Sequence, residues 1–165
     1  MSAHAQRAPR RASAPVSVTL AGWALLTMDG LRLALPQKDI LTIELVSALQ
    51  PARDGGNEIG WFAQDTERSP VYCLDRRFAP APALAATARV CVLFRSDERT
   101  LGLAGTQVSL LAADADLSVP PLPACLTRPG SPLIGLALHR HAIVAVVHAP
   151  ALGRYLSPLE TAHGG

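Results

Sequence analysis

The hydrophobic and polar positions form their clearest pattern in residues 59–75, where two apolar runs flank a polar stretch. The runs IGWFA and PVYCL are rich in the aromatic and β-branched residues that favour strands. Residues 64–69 between them are polar, so the pattern predicts a β-hairpin. Pro70 has no N–H to donate, and we expect it to open the second strand or to lie on a sheet edge.

The same pattern recurs in residues 134–148, with an Ile-Gly start, a charged turn at 139–141 and a second apolar arm. Another strand-like segment precedes each hairpin, near residues 31–40 and 101–110. We therefore expect two half-domains of similar plan, joined by a Pro/Ala-rich connector that ends near residue 88. The first half-domain is mainly residues 16–80, and the second is mainly residues 88–150.

Short strands and turns account for most of the chain, and helical periodicity is almost absent. Roughly nine strands with short turns predict an all-β class made of small barrels. Asp29-Gly30 is a hairpin signal. Single helical elements are expected at 37–39 and 150–156, and the prolines between 120 and 132 exclude a helix there. The longest predicted strands are 16–28, with a bulge at Gly22, and 100–111.

Length and composition limit the number of domains. The 165 residues suit one compact domain or two small barrels that share a core, since about 70 residues alone bury a marginal apolar area. Hydrophobic residues make up 49% of the chain and charged residues 17%, which excludes disorder for its body. We expect a disordered basic tail at residues 1–15, a domain at 16–160 and a disordered tail at 161–165. No apolar run reaches the about 18 residues of a membrane span, so no direct membrane insertion is expected.

Charge and cysteine usage exclude several partners and cofactors. The net charge of +2 comes from the arginines of the first fifteen residues, and the body has only one lysine, Lys38. Nucleic acid is therefore not an expected partner. Residues 1–15 lack the apolar core of a secretory signal, and a cytoplasmic location is expected. Cys73, Cys91 and Cys125 match no zinc spacing, and the first two lie in apolar runs where a reduced thiol is buried.

The sequence predicts neither catalytic residues nor a cofactor. It has no Gly-x-Ser-x-Gly nucleophile motif and no glycine-rich phosphate loop before a helix. The best metal candidate is the set His139, His141 and His148, because residues two apart on a strand share a face. The stronger interpretation is that these are solvated turn residues. Trp23 and Trp61 are expected in the core rather than as recognition anchors.

Four apolar segments follow one another in a characteristic order and spacing. They are LALP at 33–36 followed by Ile40, IGWF at 59–62 with VYCL at 71–74, LGL at 101–103 with Val108, and IGLA at 134–137. In this order and spacing the chain resembles the CheW-like domains of bacterial chemosensory systems, and the resemblance covers about residues 20–156.

The resemblance implies a fold of two small five-stranded SH3-like β-barrels that share a hydrophobic core, with short helical turns. It also implies a non-enzymatic adaptor that links the regulatory domain of a CheA-type histidine kinase to the cytoplasmic tips of chemoreceptors. Such an adaptor works in a chemosensory array or in a related type IV pilus pathway. On this resemblance the partner-binding residues are Gln37, Lys38, Asp39, Ile40, Asp65, Thr66, Glu67 and Arg68.

The chain departs from the family where the first hairpin turns. The family places an arginine and a glycine there, and this chain has Asp65 and Thr66. Aspartates typical of the family's strand ends are replaced by Cys73, Thr106 and His148. The Asp65 carboxylate accepts hydrogen bonds where the guanidinium of the family's arginine donates them. The change implies that conventional receptor tips bind poorly. It also implies that the partner presents Arg or Lys opposite Asp65 and Glu67. The alternative is that Asp65 is a solvated turn residue.

Two other functions compete with the array adaptor. The first is a divergent CheW-like interaction module that binds a different signalling protein outside the array. The second is a metal-binding or enzymatic protein that uses the cluster of His139, His141 and His148.

Overall fold

The computed structural model describes residues 22–53, 56–112 and 117–158. They form twelve strands and one α-helix: β1 (Trp23–Met28), β2 (Leu31–Pro36), β3 (Ile40–Leu45), β4 (Gln50–Pro51), β5 (Gly60–Gln64), β6 (Glu67–Leu74), β7 (Pro80–Ala81), β8 (Val90–Ser96), β9 (Arg99–Gly105), β10 (Gln107–Leu111), β11 (Leu133–His139), β12 (Ala142–Val147) and α1 (Ala149–Leu156). Single 3₁₀ turns occur at Gln37–Asp39, Val46–Ala48 and Ala124–Leu126. The expected tails at 1–15 and 161–165, and the start of the first predicted strand, lie outside the described residues.

The strands form two sheets, which confirms the predicted all-β class. The five-stranded sheet has the order β10-β1-β2-β12-β11. The seven-stranded sheet has the order β3-β8-β9-β6-β5-β4, with β7 paired to β6. Of its seven strands, β4 and β7 have only two residues each, so its body also consists of five strands. The β2–β12 and β6–β9 pairs are parallel and the others are antiparallel.

Each sheet takes strands from both segments of the chain. The five-stranded sheet combines β1 and β2 from the first segment with β10, β11 and β12 from the second. The seven-stranded sheet combines β3 to β6 with β8 and β9, and its short strand β7 lies between the two segments. The two sheets are therefore interleaved along the sequence and do not follow the division into residues 16–80 and 88–150.

The prediction of one strand at 100–111 is wrong. The strand β9 ends at Gly105, and β10 begins at Gln107 in the other sheet. At the crossing, the Thr106 N–H donates to the Thr27 carbonyl oxygen at 2.7 Å. This split, together with the short strands β4 and β7, accounts for twelve strands where about nine were expected. Apolar residues continue on both sides of the crossing, so the sequence pattern contains no break there.

Both predicted hairpins are confirmed, as the pairs β5–β6 and β11–β12. In the first, Gln64 pairs with Glu67, so the turn is shorter than the predicted 64–69. Pro70 lies inside β6, but β9 joins β6 only from Val71 onward. On that side Pro70 therefore occupies a sheet edge, where its missing N–H breaks no ladder.

The glycine that starts each hairpin permits a close approach of another segment. A Cβ atom on Gly60 would lie 2.5 Å from the Gln50 carbonyl oxygen. A Cβ atom on Gly135 would collide with the Val119 side chain. The shared Ile-Gly start therefore reflects a packing requirement at both positions.

A central hydrophobic cluster connects the two sheets. It combines Leu26 and Leu33 of the five-stranded sheet with Phe94 and Leu103 of the seven-stranded sheet. Each sheet also has its own smaller cluster. That of the seven-stranded sheet includes Val71 and Leu93, and that of the five-stranded sheet includes Ala34 and Val144. The two sheets thus share a core, as the resemblance implied.

The helix α1 closes the central cluster, which confirms the predicted element at 150–156. Its side chains Leu152 and Leu156 are fully buried there. The Tyr155 hydroxyl donates to the Phe78 carbonyl oxygen at 2.6 Å, and the two rings lie 5.9 Å apart. Within the described ranges, no helix is long and apolar enough to cross a membrane.

Candidate interaction surfaces

The first group of predicted partner-binding residues forms the link between β2 and β3. Gln37, Lys38 and Asp39 make a single 3₁₀ turn, and Ile40 begins β3. The side-chain amide nitrogen of Gln37 donates to the carbonyl oxygen of Leu111 at 2.9 Å and to that of Trp23 at 3.3 Å. Ile40 packs on the central cluster, whereas Lys38 is exposed. Gln37 and Ile40 therefore support the fold, and Lys38 is the accessible member of the group.

The second group lies at the turn of the first hairpin. Asp65 and Thr66 form the turn, Glu67 and Arg68 begin β6, and all four side chains are exposed. The φ of Asp65 is +46°, in the left-handed region that aspartate tolerates better than most residues. The backbone thus provides a reason for Asp65 that is independent of any partner.

The two groups share one end of the seven-stranded sheet. Ile40 pairs with Phe94 near the end of β8, which turns into β9 through Asp97-Glu98. Because β9 runs parallel to β6, that turn and the Asp65-Thr66 turn lie at the same end. The strands β8 and β9 separate the two groups, which are roughly 14 Å apart at the usual strand spacing.

A cleft of about 620 Å³ opens beside the first hairpin, and we name it the arginine cleft. The residues that line it are Gln50, Ala52, Arg53, Glu58, Trp61, Arg68, Pro70 and Arg99. The Arg68 guanidinium carbon lies 4.2 Å from the centroid of the Trp61 ring. The expectation that Trp61 belongs to the core is wrong, because this half-buried ring forms a wall of the cleft. Of the lining residues, sequence reasoning had singled out only Arg68 as a site.

Two exposed apolar faces lie on edge strands of different sheets. The β3 face consists of Leu41, Ile43 and Leu45, which alternate along an edge of the seven-stranded sheet. Leu45 is 63% exposed. Contiguous exposed apolar residues of this kind mark protein-interaction surfaces.

The hairpin face is the second apolar surface. Leu138 and Ile143 pair directly across β11 and β12 and are 66% and 68% exposed. Ile134 continues the face along β11, which is an edge strand of the five-stranded sheet. Sequence reasoning missed both faces, because strands with apolar residues on both sides do not reveal which side meets solvent.

The structure does not bring the three histidines together. His139 ends β11 and His141 lies in the turn, but His148 follows β12 at the opposite end of the hairpin. There the His148 N–H donates to the Pro132 carbonyl oxygen at 3.0 Å. In residues 22–53, 56–112 and 117–158, no three potential metal ligands form a group. The three histidines therefore do not form the common site on which the metal-binding alternative was based.

Burial suppresses the chemistry of two of the three free cysteines. Cys73 and Cys91 are buried in the seven-stranded sheet, as expected, and Cys125 is exposed. Burial raises the pKa of both buried thiols, and for Cys91 it raises the pKa to about 12. Both thiols are therefore protonated and unreactive at neutral pH.

No protein-family model matches the chain, and no curated protein sequence matches it. Fifteen chains of solved structures match its fold. One is the crystal structure of the scaffolding protein TtCheW from Thermoanaerobacter tengcongensis, with a TM-score of 0.60 and 15% sequence identity. The match covers 80% of this chain and 91% of that chain. The similarity at this identity is one of fold, and it shows that the chain has a CheW-like fold of SH3-like β-barrels.

Proposed function

We propose that this protein is a non-enzymatic adaptor of a bacterial chemosensory system. It links the regulatory domain of a CheA-type histidine kinase to a chemoreceptor tip or a related signalling protein in the cytoplasm. The CheW-like fold supports this proposal, since the similar TtCheW structure is that of a scaffolding protein. Fold alone does not define function, so support for the proposal must also come from the surfaces of the molecule.

The observation that carries the proposal is the presence of chemically different surfaces on separate sheets. An adaptor holds two partners at once and needs two surfaces that do not overlap. The hairpin face is apolar and lies on an edge of the five-stranded sheet. The predicted partner-binding residues are mostly polar and lie at one end of the seven-stranded sheet.

We assign the kinase regulatory domain to the hairpin face. Leu138 and Ile143 are large, adjacent and exposed, which is the composition of a binding hot spot. Among the described residues, the outer edge of β11 is bridged only at Gly135, by Pro121, and the rest of this edge is open to a second β-protein.

We assign the receptor or its substitute to the surface that contains Lys38, Asp65, Glu67 and Arg68. Asp65 and Glu67 are exposed acids close to each other at the hairpin turn. They favour a partner that presents Arg or Lys, because opposite charges steer association and like charges oppose it. Conventional receptor tips are expected to bind poorly.

The test measures binding of the cognate kinase regulatory domain by calorimetry. The Leu138→Glu variant is expected to weaken binding by about 100-fold, the effect of losing a hot-spot residue. Leu126→Glu is the matched control, because Leu126 is also an exposed leucine but lies in the 3₁₀ turn before β11. Unchanged kinase binding by Leu138→Glu contradicts the assignment of the face. Absence of kinase binding by the wild type contradicts the array adaptor and favours the divergent module.

A second experiment tests the acidic turn. Asp65→Asn removes the negative charge and keeps a side chain that tolerates the left-handed backbone. Asp65→Arg replaces the negative charge with a positive one. Against a conventional receptor fragment, Asp65→Arg is expected to bind more tightly than Asp65→Asn, and the wild type least tightly. Equal binding by all three proteins identifies Asp65 as a solvated turn residue.

A further inference from the structure

The arginine cleft is built by segments that are distant in the sequence. Gln50 belongs to β4, Trp61 to β5, Arg68 to β6 and Arg99 to β9. One wall is β4, the short terminal strand of the seven-stranded sheet, which pairs Gln50 with Trp61. The cleft therefore crosses four neighbouring strands, from the terminal strand β4 to β9, and offers an extended chain contacts from each of them.

Positive charge dominates the groove. Arg53, Arg68 and Arg99 face a single acid, Glu58. In the described part of the chain, the salt bridges are Arg76–Asp29 and Arg154–Asp97, and neither involves a residue of the cleft. With three arginines and one acid, the described residues that line the cleft carry a net positive charge.

Two of the arginines are already oriented. Arg68 stacks on the Trp61 ring at 4.2 Å, which covers one face of the guanidinium and leaves its N–H edge accessible. Arg99 donates to the Ser157 hydroxyl oxygen at 2.8 Å and to the Ser157 carbonyl oxygen at 3.4 Å. A guanidinium has five N–H donors, so Arg99 retains donors for a ligand. Ordering before binding lowers the entropy cost of holding an anion.

We propose that the arginine cleft binds an extended acidic segment of a protein partner. Guanidinium groups form two parallel hydrogen bonds with a carboxylate, and residues on neighbouring strands can bind successive acidic side chains. Trp61, Pro70 and Ala52 add apolar walls that suit a side chain between the acids. A volume of about 620 Å³ holds several residues and exceeds what a single phosphate fills. This site is separate from the hairpin face, shares Arg68 with the surface assigned to the receptor, and does not depend on the identity of either partner.

The experiment follows tryptophan fluorescence, to which Trp61 in the cleft and Trp23 outside it contribute, while the peptide Glu-Glu-Phe-Glu-Glu is added to the purified protein. The control peptide is Gln-Gln-Phe-Gln-Gln. Saturable quenching by the acidic peptide alone is expected, with affinity that falls about 10-fold or more between low and high salt. The variants Arg68→Gln and Arg99→Gln are each expected to weaken binding by about 10-fold. Arg95→Gln is the control, because Arg95 is an exposed arginine of the neighbouring β8 outside the cleft.

Arg68→Lys separates the planar fork from the charge, and it is expected to retain the salt dependence with weaker binding. Three results overturn the proposal: equal quenching by the glutamine peptide, equal quenching by inorganic phosphate at the same concentration, or unchanged affinity in both Arg68→Gln and Arg99→Gln. Because no kinase or receptor is present, failure here is distinguishable from failure of the adaptor proposal.

Discussion

The two hairpins begin with the same Ile-Gly pattern, and the structure places them in different surroundings. In the first, β6 lies between β5 and β9, inside the seven-stranded sheet. In the second, β11 has β12 on one side, and on the other side the described residues pair with it at a single bridge, Pro121 to Gly135. The first hairpin consequently carries charge at its turn and along the arginine cleft. The second presents Leu138 and Ile143 to solvent.

The sequence pattern determines that a hairpin forms, and the neighbouring strands determine which of its surfaces is exposed. Polar recognition is concentrated at the first hairpin and apolar recognition at the second. An adaptor benefits from this division, because partners with different surface chemistry do not compete for one site.

The largest expected effect comes from the buried aromatic residue of the first hairpin. Phe62 on β5 is 6% exposed and packs in the cluster of the seven-stranded sheet. Phe62→Ala is expected to lower the free energy of unfolding by about 3–5 kcal/mol, because it leaves a cavity. Leu138→Ala in the second hairpin is expected to change it by about 0.5 kcal/mol or less. Urea denaturation of both variants checks this contrast, and similar losses would falsify it.

The two hairpin glycines are expected to differ in their tolerance of a methyl group. Gly60→Ala places a Cβ atom against the Gln50 carbonyl oxygen, and backbone cannot yield easily. We expect a loss of about 1–3 kcal/mol in the free energy of unfolding. Gly135→Ala meets mainly the side chain of Val119, which can change rotamer, so a smaller loss is expected. Thermal denaturation with the two melting temperatures in the reverse order contradicts this prediction.

Alkaline pH is expected to weaken the seven-stranded sheet in particular. An exposed cysteine thiol has a pKa of 9.0, and burial raises the pKa of Cys91 to about 12 in the folded protein. The folded state therefore binds the proton of the Cys91 thiol more tightly than the unfolded state does. The contribution of this thiol to the free energy of unfolding is lost as pH rises from 9 to about 12. The Cys91→Ala variant is expected to lose stability less steeply over this range. The check is the urea midpoint of the wild type and of Cys91→Ala at several pH values. An equal pH dependence of the midpoint in the two proteins contradicts the prediction.

The smallest effect is expected at the second hairpin's turn. Replacing His139 and His141 with alanine is expected to change the free energy of unfolding by about 0.5 kcal/mol or less, since neither residue is buried. Metal analysis of purified wild type and double variant is the second measurement. Stoichiometric zinc that the double variant loses contradicts the interpretation of solvated turn residues.

Local features of the fold were predictable from the sequence because they depend on residues close together in the chain. The polar turns between apolar arms predicted both hairpins, and the apolar residues around Tyr155 predicted the closing helix. Long-range features were not predictable. The crossing at Thr106 depends on its bond to Thr27, and the arginine cleft depends on strands that bring Arg53, Arg68 and Arg99 together. No spacing in the sequence signals either contact.

The interleaved sheets also affect how the protein forms during translation. The strand β2 pairs in parallel with β12, for example Leu33 with Ala145, so its partner is among the last segments to be synthesised. At about 5–20 residues per second, β2 waits roughly 6–20 s for that partner. During this interval the apolar strands β1 and β2 emerge from the ribosome with an open edge, which makes the nascent chain a substrate for chaperones. Synthesis of the last strands therefore controls when the whole molecule becomes stable.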